Sequence, residues 1–152
     1  SIHELNYCRW LFGEVNTVMA MTSSKSHLQL ETEDVGAMIL EMSDGTLCEV
    51  HVDYVQQSPS RTGKVVGDEG TLCWNLNDPL IRQYEPTSDE WINHVLPEWT
   101  VDDMYVDELE HFFSRLDSRS ATICPINEGH KDLQVALAAL KSAEVGSRVA
   151  VK

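Results

Sequence analysis

The segment from Asp34 to Gln57 constrains the fold of this 152-residue chain more than any other stretch. Apolar and polar side chains alternate on both sides of Ser43-Asp44-Gly45. Alternation around an Asp-Gly pair is typical of a β-hairpin, because glycine tolerates the positive φ of a tight turn. We therefore predict two antiparallel strands joined at these three residues.

The length of the hairpin loop decides which side chains share a face of the sheet. A two-residue loop would align the apolar residues of the first strand with charged residues of the second, whereas a three-residue loop with Gly45 as a bulge aligns apolar with apolar. We predict the second register, in which the apolar face consists of Met38, Leu40, Met42, Cys48, Val50, Val52 and Tyr54. The opposite, mixed face then carries Val35, Ala37, Ile39, Glu41, Leu47, Glu49, His51 and Asp53.

The remaining patterns place helices at both ends of a strand-rich middle. A helix is predicted up to Gly13, followed by a strand from Val15 to Ser24. Three more strands are predicted at Arg61–Val66, Thr71–Leu76 and Leu80–Tyr84, and the stretch 86–100 is predicted to be irregular, anchored by Trp91 and Trp99.

Two further helices follow, the first opened by a capping box of Thr100 and Asp103. We expect them to bury Met104, Leu109, Phe112, Phe113 and Leu116 in the first, and Leu133, Ala136, Leu137 and Leu140 in the second, with a terminal strand at 149–151. The order predicts an α+β fold: an open, mostly antiparallel sheet with helices packed on one face.

Length and charge limit the class of protein. We predict a single domain over residues 1–152. A net charge of −14 argues against nucleic acid and anionic membranes as partners, and no apolar run approaches the length of a membrane helix. Four widely spaced cysteines without a Cys-x-x-Cys motif favour free thiols in the core of a cytoplasmic protein.

Few residues indicate chemistry on spacing alone. Phosphate-loop, nucleophile-elbow and zinc-protease motifs are absent from the sequence. His51 and Asp53, with Glu49, form an incomplete ligand set, so no metal site is predicted, although metal binding there is a weaker alternative. His3 is more suggestive, because imidazole can serve as a general acid or base at the beginning of a helix.

Five segments together resemble the C-terminal domain of the Gfo/Idh/MocA oxidoreductases. They are His3–Val15, Val50–Gln56, Val65–Thr71, Tyr105–Phe112 and Ser142–Gly146, in the same order as in the family. The resemblance implies an enzyme that transfers hydride between NAD or NADP and a sugar or polyol hydroxyl. It also implies that the N-terminal dinucleotide-binding Rossmann domain is absent from this chain, so that the chain is inactive alone and contains no cofactor-binding residues.

The resemblance also implies roles for individual residues. His3 matches the family's catalytic histidine, and Asn6 stands where many relatives have aspartate. Tyr54, Arg61 and Tyr105 are candidates to contact substrate. The mixed face, in particular Val35, Ile39, Leu47, Glu49, His51 and Asp53, is the expected homodimer surface. A non-enzymatic, acidic dimerisation or binding module is the alternative interpretation.

Overall fold

The computed structural model describes residues 2–24, 26–96 and 100–152. The predicted anchor Trp99 lies outside the described residues. By internal contacts the chain divides into two compact units, Ser1–Val55 with Ile123–Lys152, and Gln56–Thr122. The described elements are α1 (Ile2–Phe12), β1 (Val15–Ser23), β2 (Val35–Met42), β3 (Leu47–Asp53), β4 (Thr62–Gly67), β5 (Gly70–Asn75), β6 (Leu80–Glu85), β7 (Glu90–Val95), α2 (Val101–Ser118), α3 (Ile126–Val145) and β8 (Val149–Ala150).

The first unit contains an open antiparallel sheet in the order β3-β2-β1-β8. Helix α3 packs against β1, and α1 packs against α3. One face of the sheet and the two helices enclose a continuous apolar core. Its buried residues are Leu5, Val15, Val18, Ala20, Leu40, Met42, Cys48, Val50, Val135, Ala138 and Ala139.

The hairpin of β2 and β3 has the predicted three-residue loop. Leu40 pairs with Cys48 and Ile39 pairs with Glu49, so the apolar face lies towards the core. Gly45 has φ of 90°, which permits the bulged turn. The predicted register is confirmed, and the mixed face is the open face of the sheet.

Ser142 links α3 to the edge of the sheet beside β8. The short strand β8 pairs with Thr17 and Val18 of β1. Beyond that pairing, the backbone N–H of Ala20 donates to Ser142 Oγ (2.9 Å), and the hydroxyl of Ser142 donates to the carbonyl of Ser147 (2.7 Å). A fully buried serine side chain therefore satisfies a backbone donor that a longer β8 would otherwise bond.

The buried side of α3 differs from the prediction. Leu133, Leu137 and Leu140 are all exposed, with 56% of Leu137 accessible. The buried residues of α3 are Asp132, Val135, Ala138, Ala139 and Ser142. The leucine prediction was wrong because Asp132 and Ser142 find buried partners elsewhere in the chain, so a side of the helix that contains polar residues faces the core. The predicted helix stop is confirmed, since Gly146 adopts φ of 64° and its N–H bonds the carbonyl of Ser142.

The second unit contains four antiparallel strands in the order β4-β5-β6-β7. Strand β7 lies inside the stretch predicted to be irregular, so that prediction was wrong. The strand forms because Trp91 and Ile92 pair with β6 across a turn that contains Asp89 in a left-handed conformation. The α+β class with open antiparallel sheets is confirmed, although the strands form two sheets where the sequence predicted one.

Helix α2 also belongs to the second unit. The capping box is present, because the carboxylate of Asp103 accepts bonds from the backbone N–H and the hydroxyl of Thr100. The predicted apolar side is not buried, since Met104 is half-buried and Leu109, Phe112, Phe113 and Leu116 are exposed. Among the described helices, none is both long and apolar enough to span a bilayer.

Candidate functional site

His3 lies in the first turn of α1, with its side chain exposed. The spacing i, i+4, i+7 places Tyr7 and Trp10 on the same side of the helix. Both aromatic residues are exposed, and their rings stack with centroids 6.1 Å apart. The exposed side of α1 thus presents one imidazole beside an aromatic pair.

The core-facing side of α1 carries a polar cluster whose centre, Arg9 and Asp132, is buried. Arg9 donates to Asp132 Oδ1 (2.5 Å), Glu128 Oε2 (2.7 Å) and Glu14 Oε2 (3.1 Å). Asn6 Nδ2 donates to Asp132 Oδ2 (2.8 Å). These bonds connect α1, and Glu14 two residues beyond its end, with the first two turns of α3.

The charges in this cluster change how its members titrate. The bonds from Arg9 and Lys131 to Glu14 hold the pKa of that carboxyl below its ordinary value, and the same two cations lower the pKa of Glu128. Lys131 bonds both glutamates, which raises its own pKa. Glu14, Glu128 and Lys131 therefore stay ionised around neutral pH.

Sequence reasoning missed this cluster. The available signal was Arg9 at i+4 from the buried Leu5, a cation on the apolar side of a helix. Such a residue needs a buried acid, because an unpaired charge is costly to bury. Identifying the acid as Asp132 would have required knowing which helices pack together.

The residues predicted to contact substrate are distributed over both units. Tyr54 follows β3 in the first unit and is exposed. Arg61 precedes β4, and Tyr105 lies in α2, both exposed in the second unit. Within the first unit, His3 and Tyr54 come from different elements, α1 and the end of the hairpin. The role of all three remains a prediction.

The open face of the first sheet carries the predicted dimer residues. Ile39, Leu47, Glu49 and His51 are exposed, while Val35 and Asp53 are half-buried. His51 Nε2 lies 3.0 Å from Asp53 Oδ2. In the described part of the chain, no three His, Cys, Asp or Glu side chains are placed to hold a metal ion, so the structure offers no support for the weaker metal alternative.

All four cysteines are free thiols. Cys48 is buried and Cys8 and Cys73 are half-buried, but Cys124 is exposed, which corrects the expectation that all belong to the core. Burial, with a further contribution from Cys48, raises the pKa of the Cys8 thiol to about 12. Cys8 is thus protonated at neutral pH and is a poor nucleophile.

Comparison with known proteins gives a family match and a set of related folds. Residues 1–73 match the profile of the GFO/IDH/MocA C-terminal domain. No protein of curated function matches the chain by sequence.

Solved structures share the fold of nearly the whole chain. Levoglucosan dehydrogenase in complex with NADH superposes with a TM-score of 0.90 at 16% identity, covering 99% of this chain and 48% of that one. An oxidoreductase from Agrobacterium radiobacter, in complex with NAD+, L-tartaric acid and magnesium, gives 0.81 at 22% identity, with 99% and 47% covered. Aldose-aldose oxidoreductase from Caulobacter crescentus, complexed with glycerol, gives 0.82 at 21% identity, with 98% and 45% covered. This chain spans about half the length of each.

Proposed function

We propose that the chain, whose residues 1–73 match the GFO/IDH/MocA C-terminal domain, is the substrate-side half of an NAD(P)-dependent oxidoreductase of that family. Its substrate class is a sugar, sugar derivative or polyol with an oxidisable hydroxyl. The observation that carries this proposal is the family match over the helix that presents His3 and over the hairpin behind it.

The described part of the chain does not fit a dinucleotide. Its two sheets are antiparallel, and none of their strands leads through a glycine-rich turn into a helix. We therefore assign NAD or NADP to a separate Rossmann half of the full-length enzyme. When bound there, the nicotinamide supplies the chemistry of hydride acceptance.

We assign His3 the proton-transfer role. Its imidazole is exposed at the beginning of α1. It can accept the proton of a substrate hydroxyl while hydride leaves the carbon that bears this hydroxyl. A histidine in this role needs a fixed direction of approach, which a rigidly held helix provides. Tyr54, Arg61 and Tyr105 stay candidates for orienting the substrate.

Two measurements test the proposal. The full-length enzyme should reduce NAD+ or NADP+ with a member of a sugar and polyol panel, and His3→Ala should lower kcat by about a hundredfold or more. His27→Ala, which alters another exposed histidine, should leave kcat unchanged.

The 152-residue chain alone should bind neither dinucleotide at micromolar concentration in calorimetry. Binding by this chain at such concentrations, or full activity of the His3→Ala enzyme, would overturn the proposal. An exclusive role as a dimerisation or binding module would leave every dinucleotide and sugar combination without turnover.

We also propose a homodimer formed through the open face of the first sheet. Ile39 and Leu47 expose apolar surface there, and Met19 and Met21 of β1 add to it. Such a patch is normally covered by a partner, and a second copy would bury it isologously. Glu49, His51 and Asp53 would then lie at the rim, and Val35 near the edge of the contact.

A cytoplasmic location accords with the chemistry of the chain. Four free thiols, one of them exposed, suit a reducing compartment. Nicotinamide-dependent reactions on free sugars are compatible with the same location.

A further inference from the structure

Asp132 is an acid buried in the interior of the first unit, with 3% of its surface accessible. A buried carboxylate is tolerated when its oxygens are bonded and its charge is compensated. Both conditions are met by α1, since Oδ1 accepts from Arg9 and Oδ2 accepts from Asn6. Every bond described for this carboxylate thus comes from the helix that carries His3.

Apolar side chains also hold helix α1 against the core. Its buried residues are Leu5 and Arg9, and Cys8 and Phe12 pack partly buried against the core. Apolar contacts hold a helix near the core but are not directional, whereas hydrogen bonds require defined angles. The hydrogen bonds of Asn6 and Arg9 to α3 therefore restrain the rotation of α1 about its axis.

His3, Asn6 and Arg9 follow one another at intervals of three residues. Residues at i and i+3 are neighbours on a helix surface, so Asn6 lies one turn from His3 and Arg9 two turns away. If α1 rotated about its axis, the bonds to Asp132 would be strained and the imidazole of His3 would move with the helix. The placement of His3 is mechanically coupled to a residue on another helix.

The hydrogen bond between Asn6 and Asp132 also requires a donor at position 6. The amide of Asn6 donates to the carboxylate over 2.8 Å. An aspartate at position 6 would put two carboxylates at that separation, inside a cluster where three acids already face the two cations Arg9 and Lys131. One of the two would have to be protonated or move away.

We propose that Asp132 is a positioning residue for His3, acting through Asn6 and Arg9. This inference rests on the proposed role of His3 in proton transfer. Asp132 itself touches neither substrate nor cofactor in this scheme.

The test is a double-mutant cycle in the full-length enzyme, using substitutions that conserve shape. Asn6→Asp introduces the repulsion and should lower kcat by about ten- to a hundredfold, a loss typical of a small misplacement of a reacting group. The KM for the dinucleotide should stay unchanged, since α1 is not assigned to its binding.

The exchanged enzyme, with Asn6→Asp and Asp132→Asn together, should recover most of the lost kcat. In that enzyme the amide at 132 can donate to the acid at 6 and still accept from Arg9. Recovery excludes a direct effect of the new charge on His3, because that charge is retained. Glu144→Gln removes an exposed acid from the same helix and should leave kcat unchanged.

A second readout does not depend on turnover. In the 152-residue chain, the imidazole NMR signals of His3 should shift or broaden in Asn6→Asp and return in the exchanged variant. If Asn6→Asp does not fold, Asn6→Ala removes the bond to Asp132, and a long one to Cys124 Sγ, without adding charge and should lower kcat by several-fold.

Three results would overturn the inference: wild-type kcat in every folded variant, no recovery in the exchanged enzyme, or unchanged His3 signals. These differ from a failure of the proposed function, in which His3→Ala keeps its activity. In that case the NMR arm still decides whether Asp132 places His3.

Discussion

The two units of this chain are built from the same kind of antiparallel sheet but differ in what holds them together. Among the residues that the structure describes, all eleven buried apolar ones belong to the first unit. Within the described part of the second unit, no residue reaches a comparable degree of burial. The comparison shows that the mere presence of a helix does not create a core: α2 buries none of its residues, whereas α1 and α3 cover one face of the first sheet.

In the second unit, interactions between neighbouring strands take the place of the core. The ring of Trp74 lies over Gly63 of the adjacent strand. The guanidinium of Arg82 lies 4.6 Å from the centroid of Trp91, and Tyr84 donates to Asp89 over 2.7 Å. Such cross-strand pairs contribute about 0.2–1 kcal/mol each, which is far less than a fully buried leucine.

The largest expected effect is the loss of a core side chain from the first unit. Leu40 is 0% accessible, so Leu40→Ala should lower the free energy of unfolding by about 3 kcal/mol. Leu72→Ala in β5, where 40% of the side chain is accessible, should cost about 1 kcal/mol. Urea denaturation of both variants measures the difference. Equal losses would show that the second unit is as well packed as the first.

The next effect concerns the two exposed sheet surfaces. If the open face of the first sheet binds a second copy, Ile39→Lys should weaken the dimer by about a hundredfold, because a charge would be buried in the contact. Sedimentation velocity measures the change, and Val35→Lys should act in the same direction. Val66→Lys on β4 of the second unit is the matched control. A dimer that survives both changes to the open face would reject this interface.

A smaller effect should separate two glycines of β4. An added Cβ at Gly63 would lie 2.0 Å from the ring of Trp74, whereas one at Gly67 meets no atom within 4 Å. Gly63→Ala should therefore destabilise the protein by about 1–2 kcal/mol and shift the tryptophan fluorescence, while Gly67→Ala should not. A negligible effect at Gly63 would mean that Trp74 is free to move, and would sharpen the contrast with the first unit.

The smallest effect is a pH dependence that originates in the first unit. The pKa of Glu14 lies below its unfolded value of 4.5, since Arg9 and Lys131 bond the ionised form. Its stabilising contribution is complete above the unfolded pKa and is lost as the pH falls through the lower, folded pKa.

Glu14 is half exposed, so this contribution should be about 0.5 kcal/mol. On acidification from neutral pH, the Glu14→Gln variant should lose less free energy of unfolding than the wild type, by that amount. Denaturation at a series of pH values measures this difference. Parallel stability curves for the variant and the wild type would contradict the assignment.

The parts of the fold that sequence predicted well depend on local chemistry. The hairpin register followed from alternation around an Asp-Gly turn, and the capping box of Thr100 and Asp103 and the stop at Gly146 are equally local. These features need no knowledge of distant residues, because each is satisfied within a few positions of the chain.

The features that sequence missed depend on partners far away. Hydrophobic periodicity chose the leucines of α3, yet the helix buries Asp132 and Ser142, whose partners are Arg9, Asn6 and Ala20. For the candidate site, family resemblance supplied His3, but the cluster beneath it could not be read from spacing. The division of the strands into two sheets could not be predicted either, because turn residues indicate where a strand ends but not which strands pair.

The serine that caps the edge of the first sheet has a consequence for self-association. Strand edges with free N–H groups can recruit the strands of other molecules and begin aggregation. Because Ser142 bonds the N–H of Ala20 from within its own helix, an incoming strand finds that donor already occupied and shielded by α3. One buried hydroxyl thus helps to make the β1 edge a poor template for an added strand.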